Sequence, residues 1–171
     1  MAERVILVDE NDRQLGTEEK MAAHEKGLLH RAFSLYVFNK KGQLLLQQRA
    51  LSKYHCGGMW TNTCCSHPRV GESDSAAAHR RLQEEMGFDC ALTEAFSMIY
   101  KTPVSDRLTE HEFLHVFIGR YDKEPIINKD EVESHAWVDV ATLRNDMRKH
   151  PEKYTPWFRI CIDKVLENVK P

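Results

Sequence analysis

Residues 60–87 read WTNTCCSHPRVGESDSAAAHRRLQEEMG, and this stretch decides the fold and the chemistry that we expect of the chain. Its first part has the pattern of a strand and loop and carries Cys65 and His67. Its second part has the pattern of a helix and carries Arg81 and Glu85. A thiol, a metal-binding imidazole, a phosphate-pairing cation and a hard-metal carboxylate thus fall within 21 residues, a mixture that few purely structural segments need.

The helix in the second part has clear signals at both ends. Ser73 is a good N-cap, and Gly87 is a good C-terminal stop. Arg81 and Glu85 lie four residues apart and therefore share one face, where a surface salt bridge is the plain structural explanation for the pair. The buried face of the helix is predicted to contain Ala77, Ala78, Leu82 and Met86.

The composition predicts one globular domain over residues 1–171, with 42% hydrophobic and 29% charged residues. A net charge of −2 and the lack of a basic run argue against nucleic-acid binding. No signal peptide is expected, and no apolar run approaches the roughly 18 residues that a membrane helix needs, so no membrane insertion is expected. Nothing in the sequence demands a partner chain, so we expect a monomer or at most a weak dimer.

The chain has five cysteines, an odd number, and Cys64 and Cys65 are adjacent. This arrangement does not resemble a disulfide framework, so a reducing, cytoplasmic location is expected. In an extended segment neighbouring side chains point in opposite directions, so Cys64 is predicted to be a core thiol. The chain also has nine histidines, which is more than its composition predicts.

Short β-type runs outnumber helical ones in the rest of the chain. Strands are expected at residues 5–8, 32–38, 43–48, 90–100, 113–120 and 133–138. Helices are expected at residues 18–26, at 141–149 and from Pro156 onward, and a polar turn is expected at 9–15. This order predicts an α/β sandwich with a mixed sheet.

Glu110 and Glu112 precede the alternating run at 113–120, so in a strand they share one face. Two carboxylates aimed the same way at about 7 Å repel each other unless a cation or proton lies between them. The plain alternative to a bound cation is that both carboxylates lie at the solvent-exposed end of a strand. His111 is expected to face away from both carboxylates, and His115 is expected to lie on their face but deeper, as a core histidine.

The run from Ser66 to Phe88 resembles the Nudix box, whose pattern is Gly-x5-Glu-x7-Arg-Glu-apolar-x-Glu-Glu-x-Gly-apolar. The matching residues are Glu72, Arg80, Leu82, Glu84, Glu85 and Gly87. Ser66 replaces the first glycine, and Arg81 replaces the glutamate that normally helps to hold a hydrolytic metal cluster. The resemblance implies a Nudix-like α/β/α sandwich with a mixed central β-sheet, but one whose box is changed away from hydrolysis.

Further segments resemble the type 1 isopentenyl diphosphate isomerases. They are Arg49-Ala-Leu-Ser-Lys53, Trp60-Thr-Asn-Thr-Cys-Cys-Ser-His-Pro68, Glu110-His-Glu112 and Tyr154-Thr-Pro-Trp157. The resemblance spans residues 5–165. It implies an enzyme that converts isopentenyl diphosphate to dimethylallyl diphosphate by protonating an alkene carbon and removing a proton two carbons away, through a carbocation-like intermediate.

The same resemblance implies two metal sites. A divalent Mn, Zn or Mg ion is assigned to a set of imidazole and carboxylate ligands, His24, His30, His67, Glu110 and Glu112. A Mg ion is assigned to Glu85, to the backbone oxygen of Cys65 and to the substrate diphosphate.

The resemblance also assigns the catalytic groups. Cys65 and Glu112 match the two catalytic positions and Tyr100 matches a third, while the order in which Cys65 and Glu112 act stays open. A thiol pKa near its ordinary value of about 8.5 suits a group that loses and regains a proton. Trp157 would face the carbocation with its π cloud. The residues that match the diphosphate clamp are Lys20, Arg49, Lys53 and Arg81.

Two other functions were weighed against the isomerase. A Nudix hydrolase that cleaves a diphosphate would keep the fold but would leave Cys65 and the histidines without a role; phosphate release would reveal it. A metal-stabilised binding module without catalysis is the second alternative, but its ligands would be mixed nitrogen and oxygen, unlike a closed Cys-rich zinc site. That alternative predicts that a Cys65→Ala substitution leaves function intact.

Overall fold

The computed structural model describes residues 2–169, and within that range nine strands form one sheet. The strands are β1 (Arg4–Val8), β2 (Gln14–Glu19), β3 (His30–Phe38), β4 (Leu44–Arg49), β5 (Trp60–Thr61), β6 (Cys64–Ser66), β7 (Leu92–Pro103), β8 (Thr109–Arg120) and β9 (Val132–Val138). The α-helices are α1 (Lys20–Lys26), α2 (Asp74–Met86), α3 (Val140–Lys149) and α4 (Pro156–Asn168), with a 3-10 turn at Pro151–Lys153.

Strand β3 makes the sheet mixed. It runs parallel to β8, from His30 beside Glu112 to Phe38 beside Arg120. It also pairs antiparallel with parts of β1, β4 and β6. Parallel and antiparallel pairs therefore meet on one strand, which confirms the mixed sheet predicted from the sequence.

The side chains of β3 alternate between two apolar layers, as the two-residue period of a strand requires. Phe33 and Leu35 pack in a core with the buried face of α2. Tyr36 and Phe38 pack in a second core with α3 and α4. A helical layer covers each face of the sheet, and the predicted α/β/α sandwich is confirmed.

Helix α2 begins and ends where the sequence predicts. The Ser73 hydroxyl accepts a hydrogen bond from the backbone N–H of Ala76 at 3.1 Å, which makes Ser73 the N-cap. Gly87 has a φ of 71°, and a Cβ at this position would lie 2.1 Å from the carbonyl oxygen of Ile126. Only glycine adopts the left-handed conformation without strain and also leaves room for the Ile126 carbonyl oxygen.

The predictions for residues 9–26 were partly wrong. Residues 14–19 form β2, which pairs antiparallel with β1, so the polar turn is shorter than expected and α1 begins only at Lys20. The pairing places Arg4 beside Glu19, and the Arg4 guanidinium donates to the Thr17 hydroxyl at 3.0 Å. Because hairpin pairing satisfies the backbone of this segment, it overrides the local helical pattern at residues 18 and 19.

The cysteines agree with the sequence-based expectation. All five are free, and Cys64 is fully buried in the core beneath α2. Among residues 2–169, no helix is both long and apolar enough to cross a membrane.

Strand directions bring the predicted site residues to one end of the sheet. The parallel strands β3 and β8 begin at this end, with His30 beside Glu112. Strands β4 and β6 run antiparallel to β3, so they end where β3 begins, which brings Arg49 and Cys65 to the same end. Residues far apart in sequence therefore meet because of the sheet topology.

Candidate active site

Three histidines and a glutamate converge at this end of the sheet. The ligand atoms of His24, His30, His67 and Glu110 all lie within 4.8 Å of one another, and all four side chains are buried. His24 Nε2 lies 2.9 Å from Glu110 Oε1. A buried group of imidazoles and carboxylate can hold a divalent metal ion.

Backbone carbonyls orient two of the histidines. His24 Nδ1 lies 2.6 Å from the carbonyl oxygen of Lys20, and His30 Nδ1 lies 2.9 Å from that of Leu28. In the neutral rings these hydrogen bonds keep the proton on Nδ1 and turn the Nε2 lone pair toward the cluster. Metal-binding histidines commonly have this arrangement.

Three buried atoms of the cluster lack a hydrogen-bond partner among the described residues: His30 Nε2, His67 Nδ1 and Glu110 Oε2. Of these, His30 Nε2 and Glu110 Oε2 lie 3.9 Å apart. Buried polar atoms without partners are costly, and a cation between these two would satisfy both. The residues therefore fit a divalent ion.

The protonation states of Glu110 and His67 also suit metal binding. Burial raises the pKa of Glu110, but its close contacts with the His24 and His55 imidazoles outweigh it and hold this pKa well below its usual range. Burial lowers the pKa of His67, although Glu112 opposes the shift. An ionised carboxylate and a neutral imidazole are the forms that coordinate a metal.

Glu112 links this cluster to Tyr100. Its Oε2 lies 3.2 Å from His67 Nε2 and 3.6 Å from His30 Nε2, while its Oε1 accepts a short hydrogen bond from the Tyr100 hydroxyl. Burial and the charge of Glu110 both raise the pKa of Glu112, yet the two histidines outweigh them and leave it below its usual value. Burial keeps the Tyr100 pKa well above 10, so the phenol is a neutral donor.

The Cys65 thiol lies on the same side of the sheet as Glu112. Its Sγ is 3.2 Å from Ser34 Oγ and 3.1 Å from Asn62 Oδ1. Burial raises the pKa of Cys65 to about 12, against the hydrogen bonds with Ser34 and Asn62 that lower it. The ordinary pKa expected from the sequence was therefore wrong for this site: at neutral pH Cys65 carries its proton.

A small inner cavity of about 30 Å³ joins these groups. Cys65, Tyr100, Glu112 and Trp157 all line it. The Trp157 side chain is buried, and its ring centroid is 5.2 Å from the guanidinium carbon of Arg49. The cavity thus places a protonated thiol, a phenol–carboxylate pair and an aromatic face around one small space.

A larger cleft of about 580 Å³ lies outside the inner cavity and shares Cys65 and His67 with it. The four cations assigned to the diphosphate all line this cleft, Lys20, Arg49, Lys53 and Arg81. Carboxylates of the same cleft pair with them: Lys20 Nζ is 3.0 Å from Glu3, and Lys53 bonds closely to Glu131. A cationic cleft leading to an inner cavity with an aromatic wall suits an anionic substrate with an apolar tail.

Glu85 lies on the wall of the cleft with both oxygens bonded. Its Oε1 is 2.6 Å from Arg81 Nη2, which confirms the predicted contact between residues four apart on the helix. Its Oε2 accepts from Cys64 Sγ at 3.0 Å and from Gln47 Nε2 at 3.1 Å. The guanidinium that replaces a Nudix carboxylate therefore pairs directly with the buried carboxylate that remains.

Comparisons with known proteins agree with this geometry. Residues 28–158 match the model of the NUDIX domain. The chain is 55% identical over 163 residues to "Isopentenyl-diphosphate Delta-isomerase 2" of Photorhabdus laumondii, covering 95% of this chain and 92% of that protein. It is 52% identical over 166 residues to the protein of the same name from Aromatoleum aromaticum, covering 97% and 88%. The chain belongs to the isopentenyl-diphosphate Delta-isomerase family.

Solved structures of other proteins share the fold of this chain. The crystal structure of DR0079 from Deinococcus radiodurans has a TM-score of 0.72 and 23% identity, covering 86% of this chain and 90% of that one. A MutT protein from Methanosarcina mazei has a TM-score of 0.67 and 19% identity, covering 83% and 96%. At these identities the likeness establishes the fold alone.

One buried histidine at the site was missed by the sequence reasoning. His55 Nε2 lies 2.7 Å from Glu110 Oε1, and the ring packs edge-on against Trp157 at 5.3 Å between centroids. It lies in a loop without periodicity, so no face could be assigned to it. Its only signal was its place two residues after Lys53, between two segments that carry the family resemblance.

The prediction for His115 was wrong, because odd and even residues of a strand face opposite ways. Glu110 and Glu112 are buried in β8 on one face, whereas His115 points to the other. There His115 Nε2 is 2.9 Å from Asp12 and 3.4 Å from Asp74, and its Nδ1 bonds closely to Glu94. It is an ion-paired residue that ties β8 to the β1–β2 turn, α2 and β7, outside the metal cluster.

We expect the ion pairs of His115 to contribute to the free energy of unfolding by an amount that depends on pH. Burial lowers the pKa of His115, but Glu94, Asp74 and Asp12 outweigh it and raise the pKa above its ordinary value. The stabilisation is therefore full below about pH 6.5 and is lost as the pH rises through the folded-state pKa. We expect the free-energy difference in urea unfolding between wild type and His115→Gln to be larger at pH 6 than at pH 9. An equal difference at both pH values would contradict this assignment; the exposed His150→Gln is the control substitution.

Proposed function

We propose that this chain is an isopentenyl-diphosphate Delta-isomerase that converts isopentenyl diphosphate to dimethylallyl diphosphate. The observation that carries the proposal is the inner cavity, which the protonated Cys65 thiol and the Tyr100–Glu112 pair line together. The cationic cleft beside it holds the anionic end of such a substrate. The names of the relatives support the same activity.

The reaction needs two proton-carrying groups and no redox partner. One group donates a proton to the terminal alkene carbon, which leaves a positive charge on the tertiary carbon. The other group accepts a proton from the carbon on the opposite side, whose C–H electrons form the new double bond. Cys65 and the Glu112–Tyr100 pair take these two roles, and general acid–base groups of this kind contribute about 10²- to 10⁴-fold each.

The rest of the inner cavity favours the charged intermediate. The Trp157 ring offers a π face, a cation–π contact of about 2 kcal/mol when the site is dry. The ionised Glu112 adds a negative charge near the same space.

Two metal ions complete the proposal. His24, His30, His67, Glu110 and Glu112 would hold a Mn, Zn or Mg ion, which supplies positive charge that keeps the two glutamates ionised and close together. Glu85 and the backbone oxygen of Cys65 would hold a Mg ion together with the substrate diphosphate.

The diphosphate is held by Lys20, Arg49, Lys53 and Arg81. Replacing Arg81 by glutamine is expected to raise KM for isopentenyl diphosphate by about 10- to 100-fold, with a smaller change in kcat, because a charge-assisted hydrogen bond is worth about 1.5–3 kcal/mol. Steady-state kinetics measure this change, with the exposed Arg148→Gln as the matched control. A KM equal to that of the control would contradict the role of Arg81 in diphosphate binding.

The proposed function is tested by incubating the purified protein with isopentenyl diphosphate, Mg and either Mn or Zn. We expect dimethylallyl diphosphate to appear while inorganic phosphate and diphosphate stay absent. Intact substrate with every metal combination would overturn the proposal. Phosphate release in place of the isomer would assign the chain to the Nudix diphosphate hydrolases instead.

A further inference from the structure

His55 is buried in the loop between β4 and β5. This loop folds back on itself, because the backbone N–H of Gly58 donates to the carbonyl oxygen of Arg49 at 2.9 Å. A Cβ at Gly57 would lie 2.7 Å from the carbonyl oxygen of Leu51, so only glycine allows this path. The tight path directs the His55 side chain into the interior of the site.

His24 and His55 both lie within hydrogen-bond distance of Glu110 Oε1. When both rings are neutral, only one of them can donate an N–H to this oxygen. His55 Nε2 is 2.7 Å and His24 Nε2 is 2.9 Å from Glu110 Oε1. A neutral His24 carries its proton on Nδ1, facing the Lys20 carbonyl at 2.6 Å, so its Nε2 has none. His55 Nδ1 has no partner among residues 2–169, which leaves its proton free to lie on Nε2.

The same residue touches the other two parts of the site. The carbonyl oxygen of His55 accepts hydrogen bonds from Arg49 Nε at 3.3 Å and from Arg49 Nη2 at 3.1 Å. Its ring packs against the Trp157 ring that lines the inner cavity. His55 therefore contacts a cation of the cleft, the aromatic wall of the cavity and a carboxylate of the histidine cluster.

From these contacts we infer that His55 is a positioning residue for the metal site: its Nε2–H holds Glu110 Oε1, so that Oε2 and the His24 lone pair both face the ion. His55 itself stays outside the coordination shell. The inference rests on the metal site of the proposed function, but it does not depend on the isomerisation chemistry.

The first test measures metal affinity in matched variants. Hydrogen-bond partners of metal ligands typically contribute about 10- to 100-fold in affinity, so His55→Ala is expected to weaken Zn or Mn binding by that factor in competition with a chromophoric chelator. His55→Gln, whose amide N–H can replace the ring N–H, is expected to bind within about threefold of wild type. The surface variant His135→Gln is the control. Wild-type affinity in His55→Ala, or an equal loss in the alanine and glutamine variants, would overturn the inference.

A second measurement needs no variant, so it holds even if His55→Ala does not fold. Nitrogen–proton NMR of the imidazoles in the Zn-loaded wild-type protein reports which ring nitrogen carries the proton. We expect His55 to be the neutral Nε2–H form without metal coordination, and His24 and His30 to be Nδ1–H forms. A His55 proton on Nδ1, or Zn bound to its Nε2, would overturn the inference.

Both readouts are independent of catalysis. A protein that binds metal as predicted but leaves isopentenyl diphosphate unchanged would contradict the proposed function and leave the role of His55 standing. An active isomerase whose metal affinity is unaffected in His55→Ala would support the proposed function and contradict the role of His55.

Discussion

Replacing Cys65 with alanine is expected to lower kcat for isomerisation by about 10⁴-fold, the upper end of what a positioned acid–base group contributes. The thiol is the proton carrier on one wall of the inner cavity, and alanine offers no proton. Burial keeps the Cys65 pKa at about 12, so the group is protonated throughout the neutral range. Turnover of isopentenyl diphosphate by the metal-loaded protein measures the loss.

The matched control is Cys90→Ala, because Cys90 is a half-buried thiol outside the active site. We expect this variant to keep wild-type turnover and Cys65→Ala to keep wild-type metal binding. Turnover within about tenfold of wild type in Cys65→Ala would contradict the role of the thiol.

Replacing Glu112 with glutamine is expected to affect both catalysis and metal binding. The amide cannot carry the proton that Glu112 exchanges, so kcat should fall by about 10³- to 10⁴-fold. It also removes a negative charge that faces His30 and His67, so the affinity for Zn or Mn should fall as well. Steady-state turnover and chelator competition measure the two effects separately.

Tyr100→Phe separates those two effects. It removes the hydroxyl that donates to Glu112 Oε1 but leaves the carboxylate in place, so turnover should fall while metal affinity stays within about threefold. The exposed Glu167→Gln is the control for the loss of a carboxylate charge. Full activity in Glu112→Gln, or loss of metal affinity in Tyr100→Phe without loss of turnover, would contradict these assignments.

Local periodicity predicted the parts of the site that depend on one element. The four-residue spacing of Arg81 and Glu85 in α2 and the two-residue spacing of Glu110 and Glu112 in β8 both place side chains on one face, as the structure has them. The same parity should have placed His115 on the opposite face of β8, and that prediction failed because the rule was misapplied.

Features that depend on tertiary contacts were out of reach of the sequence. Strand β2 forms because β1 pairs with it, which overrides the helical pattern of residues 18 and 19. His55 reaches Glu110 only through the tight loop that Gly57 allows. The raised pKa of Cys65 follows from its burial, which no residue type or spacing encodes.

The measurement that tests the central claim most directly is proton NMR of isopentenyl diphosphate incubated in D₂O with the wild-type protein, Mg and either Mn or Zn. The proposed groups exchange their protons with solvent, so the product should be dimethylallyl diphosphate with deuterium in the methyl group that forms from the terminal alkene carbon. Unchanged substrate, or product without deuterium from solvent, would contradict a mechanism in which Cys65 and the Glu112–Tyr100 pair carry the protons.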